Sequence, residues 1–440
     1  MLTFLLEQKI FMAYHNQINT DFSNEFFKPI FEVYSDSDRK YKCTGISDVN
    51  FAQLGTLRCI SSAKTGQEFL QLHADQEVAD IDADHFFKTL KSPRRLTNLK
   101  SINQLLAEKL NQQTVDPLAQ FPELDKWEVN LVDGHYQKAA CFDPKYEDSN
   151  GNFKSIATGH FFRLDLRNQH LSCLDLVKPE DGKKKAHDIT VIRRSTAQIL
   201  RNAAPKGRKM MLVWDKACID YHLWFDLKHT HGIYFITLEK GNSAAKICSE
   251  NLVDRSDPRN EGVESDHLVG TSNGVQLRRI VYKNPKDGKV YTYLTNDNTL
   301  PPGILVLLYK HRWDEEKVFD ELKNKMEERK SWASSDEAKE AHAVFECLAH
   351  NLLLLLEDKI IQEEGLVDEC ERKKDLGRKR EGSPESLRLN KIGNMVNTAI
   401  IRATQRTQRF IRWVRNRIYI QASWRASVVR LASIWGCLIE

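Results

Sequence analysis

No two of the nine cysteines are spaced as Cys-X-X-Cys, and their number is odd. Neither a zinc site nor a disulfide framework is indicated, so they read as reduced thiols. Long apolar runs are also lacking. One apolar run, Leu352–Leu356, falls far short of the roughly 18–20 residues that span a bilayer, so no membrane segment is expected. The first residues, MLTFLLEQKIFMAY, are broken by Glu7 and Lys9 and carry neither a basic lead nor a small-residue cleavage site. They do not read as a convincing secretory signal, and Met12 is an alternative start. Charge of one sign is not in excess, because the net is +4 over 440 residues. Together these absences point to a soluble cytoplasmic protein.

The distribution of charge says more than its sum. From Arg372 to Arg430 there are 16 Lys and Arg against 3 Asp and Glu, which leaves the rest of the chain net acidic. A basic tail on an acidic body suggests a polyanionic partner, nucleic acid first. Within the tail, TAIIRATQRTQRFIRWVRNRIYI reads as a basic amphipathic helix. Its Arg402, Arg406, Arg409, Arg412 and Arg415 are expected to contact phosphates. A hydrophobic content of 41% is enough for a folded body, and the length leaves room for two or three domains.

The stretch YKHRWDEEKVFDELK, Tyr309 to Lys323, is the most informative. On a regular helix advancing about 100° per residue, Tyr309, Arg312, Glu316 and Lys323 fall within an arc of roughly 60°. Phe319, Leu322 and Met326 form an adjoining apolar stripe. A solvated helix with an ordinary Arg312–Glu316 pair would look the same. The spacing Tyr-(2)-Arg-(3)-Glu-(6)-Lys, however, resembles the signature of the insertion-sequence-four type of bacterial DDE transposase. In that family the catalytic domain is RNase H-like, and the resemblance covers about Asp133 to Leu356.

Two upstream aspartates complete the pattern. Trp127 onward reads as a strand entering the core, with Asp133 at its end before Gly134; a hairpin turn is the alternative. SIATGHFFRLDLRN and LSCLDLV follow as a meander, with turn residues at 151–152 and 168–169, and then a helix of roughly Asp188 to Asn202. Met210–Val213 is a short apolar run, as in a strand buried on both faces, and Asp215 stands just beyond it. A helix N-cap would use an aspartate there equally well. Asp215 and Glu316 are too far apart for a simple connection, and VQLRRIVYKNPKDGKVYTYLT between them implies a mainly β insertion at about 240–300. Asp266 to Asn273 is rich in turn residues. Upstream, a helical break at Ser92-Pro93 presents Lys91, Arg94 and Arg95 as a basic turn that could hold a phosphate.

The expected fold is therefore α/β: an RNase H-like mixed sheet flanked by helices, with a β insertion before the glutamate helix and helical ends. Expected boundaries are 1–122 (helical), 123–362 (catalytic) and 363–440 (basic, helical). By the resemblance, Asp133, Asp215 and Glu316 are the catalytic carboxylates and bind Mg²⁺, with Mn²⁺ as a substitute. Hard cations prefer such oxygens, and a metal pair suits in-line phosphodiester displacement. Tyr309, Arg312 and Lys323 would hold DNA, Arg312 as a fork and Lys323 as a point charge. Trp214 and Trp313 are candidates for stacking on a displaced base, or else packing residues. His135, near Asp133, reads as a support behind that carboxylate or as merely structural. The resemblance departs at Lys216-Ala217, where the family often has Arg-Gly. Expected partners are double-stranded DNA, the terminal inverted repeats of the chain's own element, and a second copy in a DNA-bound homodimer. An RNase H-like nuclease and a non-catalytic DNA-binding descendant are the rival readings.

Overall fold

The computed structural model describes residues 21–34, 46–75, 83–368 and 406–436. Within 83–368 it excludes 144, 148–149, 156–157, 178–191, 194–199, 201–206, 217–219, 242–244, 272–273, 286 and 327–330. Met12, most of the helix expected at Asp188–Asn202, Ala217, Arg402 and most of the segment after Glu363 lie outside the described residues. The chain divides into two compact units, one of them Val115–Phe319 and the other Met1–Thr114 with Asp320–Glu381 and Gln405–Glu440.

The first unit is built on a nine-stranded sheet. Its strands are β1 (Trp127–Gln137), β4 (Thr158–Asp165), β5 (Leu171–Val177), β6 (Lys209–Val213) and β7 (Ile233–Leu238), followed by β8 (Lys246–Glu250), β9 (Val263–Gly270), β10 (Gln276–Lys283) and β11 (Val290–Thr295). Two short strands, β2 (Lys145–Glu147) and β3 (Phe153–Ser155), form a separate hairpin. The order across the sheet is β5-β4-β1-β6-β7-β11-β10-β9-β8. β1, β6 and β7 run parallel, while β4 and β5 are antiparallel to their neighbours. This half is the RNase H-like arrangement. The parallel strands β6 and β7 are joined through a crossover helix, α6 (Tyr221–His231), which Asp220 caps and Gly232 ends at φ +63°.

The β insertion is present and extends the same sheet through β11 rather than forming a separate layer. One local expectation fails. Asp266–Asn273 was read as turn-rich, yet Asp266 lies inside β9 and is buried. The Arg278 guanidinium donates to both Asp266 carboxylate oxygens, at 2.9 Å from Nε to Oδ1 and 2.6 Å from Nη2 to Oδ2. A buried charge so paired is tolerable in a strand, and a composition-based turn reading misses the partner twelve residues on.

Asp133 is not in a turn either. It lies within β1, opposite Phe162, and Gly134 continues the ladder opposite Phe161. The signature stretch differs more. Instead of one helix it forms α7 (Pro302–Lys310), α8 (Arg312–Asp320) and a π-helical turn, Glu321–Lys325. At the break the backbone tightens to i→i+3 bonds: the His311 N–H donates to Leu308 O and that of Asp314 to His311 O. The His311 ring also bonds the Asp314 carboxylate at 2.8 Å. The uniform 100° advance therefore does not hold across His311 or past Asp320, and the single polar face is not a property of the folded stretch.

The second unit is helical: α1 (Phe22–Tyr34), α2 (Asp48–Ile60), α3 (Gly66–Asp75), α4 (Ala83–Thr89), α5 (Pro93–Gln113), α9 (Asp336–Glu364), α10 (Gln408–Tyr419) and α11 (Trp424–Trp435). Ser92 caps α5 and Pro93 occupies its first turn, as the sequence implied. The 29-residue α9 is apolar on most sides through its middle and is the axis on which α2 and α5 pack. A Cβ on Gly55 of α2 would lie 2.2 Å from the Phe345 ring, so only glycine permits that approach. The terminal regions, expected to be separate, share this unit. Phe22 packs edge-on against Trp413 and stacked against Trp424.

The basic features expected to meet DNA are mostly consumed here. Arg94 and Arg95 both pair with Asp48, and Arg95 also donates to Ile46 O at 2.7 Å. Arg409 pairs with Asp368, Arg415 donates to Ile60 O, and Arg412 is exposed. Arg406 is fully buried, its Nε 3.0 Å from Glu321 Oε2, and its backbone N–H donates to the same oxygen. His350 Nδ1 meets the other oxygen at 3.0 Å. The tail helix is thus a structural element whose inward cations answer buried acids.

Burial alone would raise the Glu321 carboxyl, but the Arg406 charge, His350 and the Arg406 N–H outweigh it and hold the pKa down to about 2. A folded pKa below the ordinary 4.5 means that this contribution is complete above pH 4.5 and is lost as pH falls toward 2. The Glu321→Gln variant should be destabilised by about 3–5 kcal/mol at neutral pH, because Arg406 is left without its counter-charge. Its urea midpoint should also change less than the wild type's between pH 4.5 and 2, which a urea series across that range reads directly.

Candidate active site

The two aspartates come together through strand register. Leu131 of β1 pairs with Val213 of β6 in the parallel ladder, and Asp133 and Asp215 each lie two residues beyond that pair. Side chains alternate along a strand, so both carboxylates leave the face opposite Val132 and Trp214, where β6 ends beside the middle of β1, in neighbouring strands about 4.8 Å apart. Val132, Met210, Leu212 and Trp214 belong to the core of the other face. The apolar alternation thus fixes which side the acids take. Each aspartate accepts the N–H of the next residue on Oδ1, Gly134 at 2.8 Å and Lys216 at 2.7 Å.

Glu316 reaches this place through α8, and Arg312 is the link. Its Nη2 donates to Glu316 Oε1 at 2.8 Å, one helical turn on. Its Nη1 lies 4.0 Å from Asp133 Oδ2. Burial disfavours the Arg312 charge, but the fields of Tyr309, Glu316 and Asp215 outweigh this and raise its pKa above the ordinary value. The guanidinium therefore bonds Glu316, stands near Asp133 and lies in the field of Asp215. Asp133 is 22% exposed and Glu316 39%, so solvent reaches both acids, while Arg312 is 13% exposed.

Tyr309 departs from its expected position. It is buried, packing on Tyr293 of β11 with ring centroids 5.1 Å apart, rather than facing outward. Burial pushes its phenol up to about 12, with Arg312 pulling it down and Asp215 adding to the rise. The hydroxyl end is therefore within electrostatic reach of the site, although the ring serves the core. Lys323 is exposed on the π-helical turn, seven residues beyond Glu316. Trp214 is fully buried and stacked on Phe235, so it is a packing residue. Trp313 is 62% exposed, with the Arg312 guanidinium 5.7 Å from its ring centre. His135 is buried and stacks on Phe319 at 4.8 Å, which fixes α8 against β1.

The sequence reading missed Tyr293 and the Arg312–Asp133 contact. The alternating Tyr291 and Tyr293 of β11 were visible, but nothing local says that an insertion strand supports Tyr309. The donor set fits divalent magnesium or manganese in kind, being three carboxylates of which two are demonstrably open to solvent. Among the described residues no three His, Cys, Asp or Glu side chains stand close enough together to hold a metal ion. The cation between these acids is the guanidinium.

Two known proteins and one protein family show similarity to this chain. A candidate transposase, y4zB, of Sinorhizobium fredii is 27% identical over 181 residues, which are 40% of this chain and 50% of that protein. The chain thus spans about half the length of that curated relative. Among solved structures, the piggyBac transposase synaptic complex with hairpin DNA aligns with a TM-score of 0.39 at 11% identity, over 91% of this chain and 83% of that one. Residues 164–352, which include Asp215 and the whole signature stretch, match the family described as the transposase DDE domain.

Proposed function

We propose that this chain is a DDE transposase of the insertion-sequence-four type, cutting the ends of its own element and joining them to target DNA. The observation that supports this most is the register: Asp133 and Asp215 follow the Leu131–Val213 pair at equal distance, and Arg312 draws Glu316 to Asp133. Asp133, Asp215 and Glu316 would hold Mg²⁺ or Mn²⁺. When bound, such ions activate the attacking water or 3′-hydroxyl and offset charge on the entering and leaving oxygens. The chain's own residues then do the positioning. Arg312 has the fork to grip a phosphate beside the cut, and exposed Lys323 the point charge. Tyr309, being buried, acts on Arg312 and the Asp215 end of the site rather than on DNA. Double-stranded DNA bearing terminal inverted repeats is the substrate, with a homodimer of the chain in the DNA complex.

Asp133→Asn, Asp215→Asn and Glu316→Gln should each abolish cleavage of a labelled element end while leaving its binding in a gel-shift assay within a few-fold of wild type. Parallel loss of binding would mark that residue as structural instead. Joined product, rather than nicks alone, separates a transposase from a nuclease.

Lys323→Ala should lower joined product more than it lowers the first nick. Nicking needs chiefly the metals and a water, whereas joining needs the cut end held in place. Quantifying nick and joined product on one labelled end tests this, and equal loss of both would remove Lys323 from the positioning role.

A further inference from the structure

We infer that Arg312 and the divalent ions compete for the same carboxylates, so that the arginine plugs the site until metal displaces it. The inference rests on the active-site reading above. Its basis is geometric: the guanidinium bonds Glu316 Oε1 at 2.8 Å and lies 4.0 Å from Asp133 Oδ2, with Asp215 just past the neighbouring strand, two residues beyond the Leu131–Val213 pair. Acids held beside adjacent strands repel one another when no cation stands between them. Arg312 supplies that cation from within the chain. A dication entering among the three oxygens would meet a like charge only about 4 Å away, which is repulsive even when well screened. Glu316 and Arg312 lie one turn apart on α8, and a change of partner needs only side-chain rotation. Trp313, largely exposed, offers its ring 5.7 Å from the departing charge. Metal loading then frees a fork that is already at the site for a DNA phosphate, which makes phosphate gripping conditional on metal.

The prediction runs against the intuition that removing an active-site cation ligand to DNA only weakens the enzyme. Mn²⁺ is titrated into the full-length chain without DNA, and free Mn²⁺ is read by electron paramagnetic resonance. Arg312→Gln should bind Mn²⁺ at least about tenfold more tightly than wild type, because one unit charge beside the dication has gone. Without metal the same variant should melt below wild type, and saturating Mn²⁺ should close that gap. Arg312→Lys keeps the charge but lacks the fork that spans two acids, so it should fall between the two. If Arg312→Gln does not fold, Arg312→Lys decides: tighter Mn²⁺ binding than wild type supports the plug, and equal or weaker binding overturns it. Equal affinity of Arg312→Gln and wild type likewise overturns it. Asp215→Asn is the separate control for the active-site reading. If it leaves Mn²⁺ binding intact, the ions sit elsewhere and that reading fails, whatever the behaviour of Arg312.

Discussion

Ionised carboxylates gathered beside adjacent parallel strands repel one another unless a positive charge stands among them, and the arrangement around Asp133, Asp215 and Glu316 follows from that constraint. Parallel pairing of β1 and β6 sets the two aspartates side by side. α8 must then bring a cation as well as the third acid, and Arg312 and Glu316 arrive on the same turn. Stacking of His135 on Phe319 holds α8 against the strand that carries Asp133. Tyr309 and Tyr293 tie the preceding helix to the last strand of the insertion. The insertion is therefore part of what positions the site as well as an extension of the sheet.

The helical unit solves a similar problem by different means. Glu321, directly after α8, is fully buried and is answered by Arg406 from the C-terminal segment and His350 from α9. An arginine that composition assigns to a DNA-binding tail thus closes an internal charge cluster. Its neighbours Arg409 and Arg415 are also committed within the unit. Net charge by segment predicted a polyanion partner; pairing in the fold reduces how many of those cations face outward.

The elements that carry the candidate site were legible where their signals are local. The apolar run Met210–Val213 ending at Asp215 needed only the pattern of a buried parallel strand, and it is β6. The Tyr-Arg-Glu-Lys stretch is helical as its spacing implies, though as α7, α8 and a π-helical turn rather than one helix. What was not legible depended on partners distant in sequence. Asp133 reads as a strand end with a hairpin turn left open, because Asp-Gly favours turns, and pairing with β4 opposite Phe162 places it inside β1. Asp266 looked like a turn residue until Arg278 is seen beside it. Tyr309 was placed outward by an ideal helical advance that the i→i+3 bonds at His311 interrupt. Periodicity describes an element well and the joints between elements poorly.

The central claim is that three acids from β1, the end of β6 and α8 form one site for a pair of divalent ions. The most direct measurement is the electron paramagnetic resonance spectrum of Mn²⁺ bound to the full-length chain with a duplex carrying one element end. Two ions about 4 Å apart should give the spectrum of an exchange-coupled pair. That coupling should vanish in Asp133→Asn, Asp215→Asn and Glu316→Gln alike. Isolated, uncoupled Mn²⁺ in the wild type, or coupling that survives any one of those substitutions, would contradict the account.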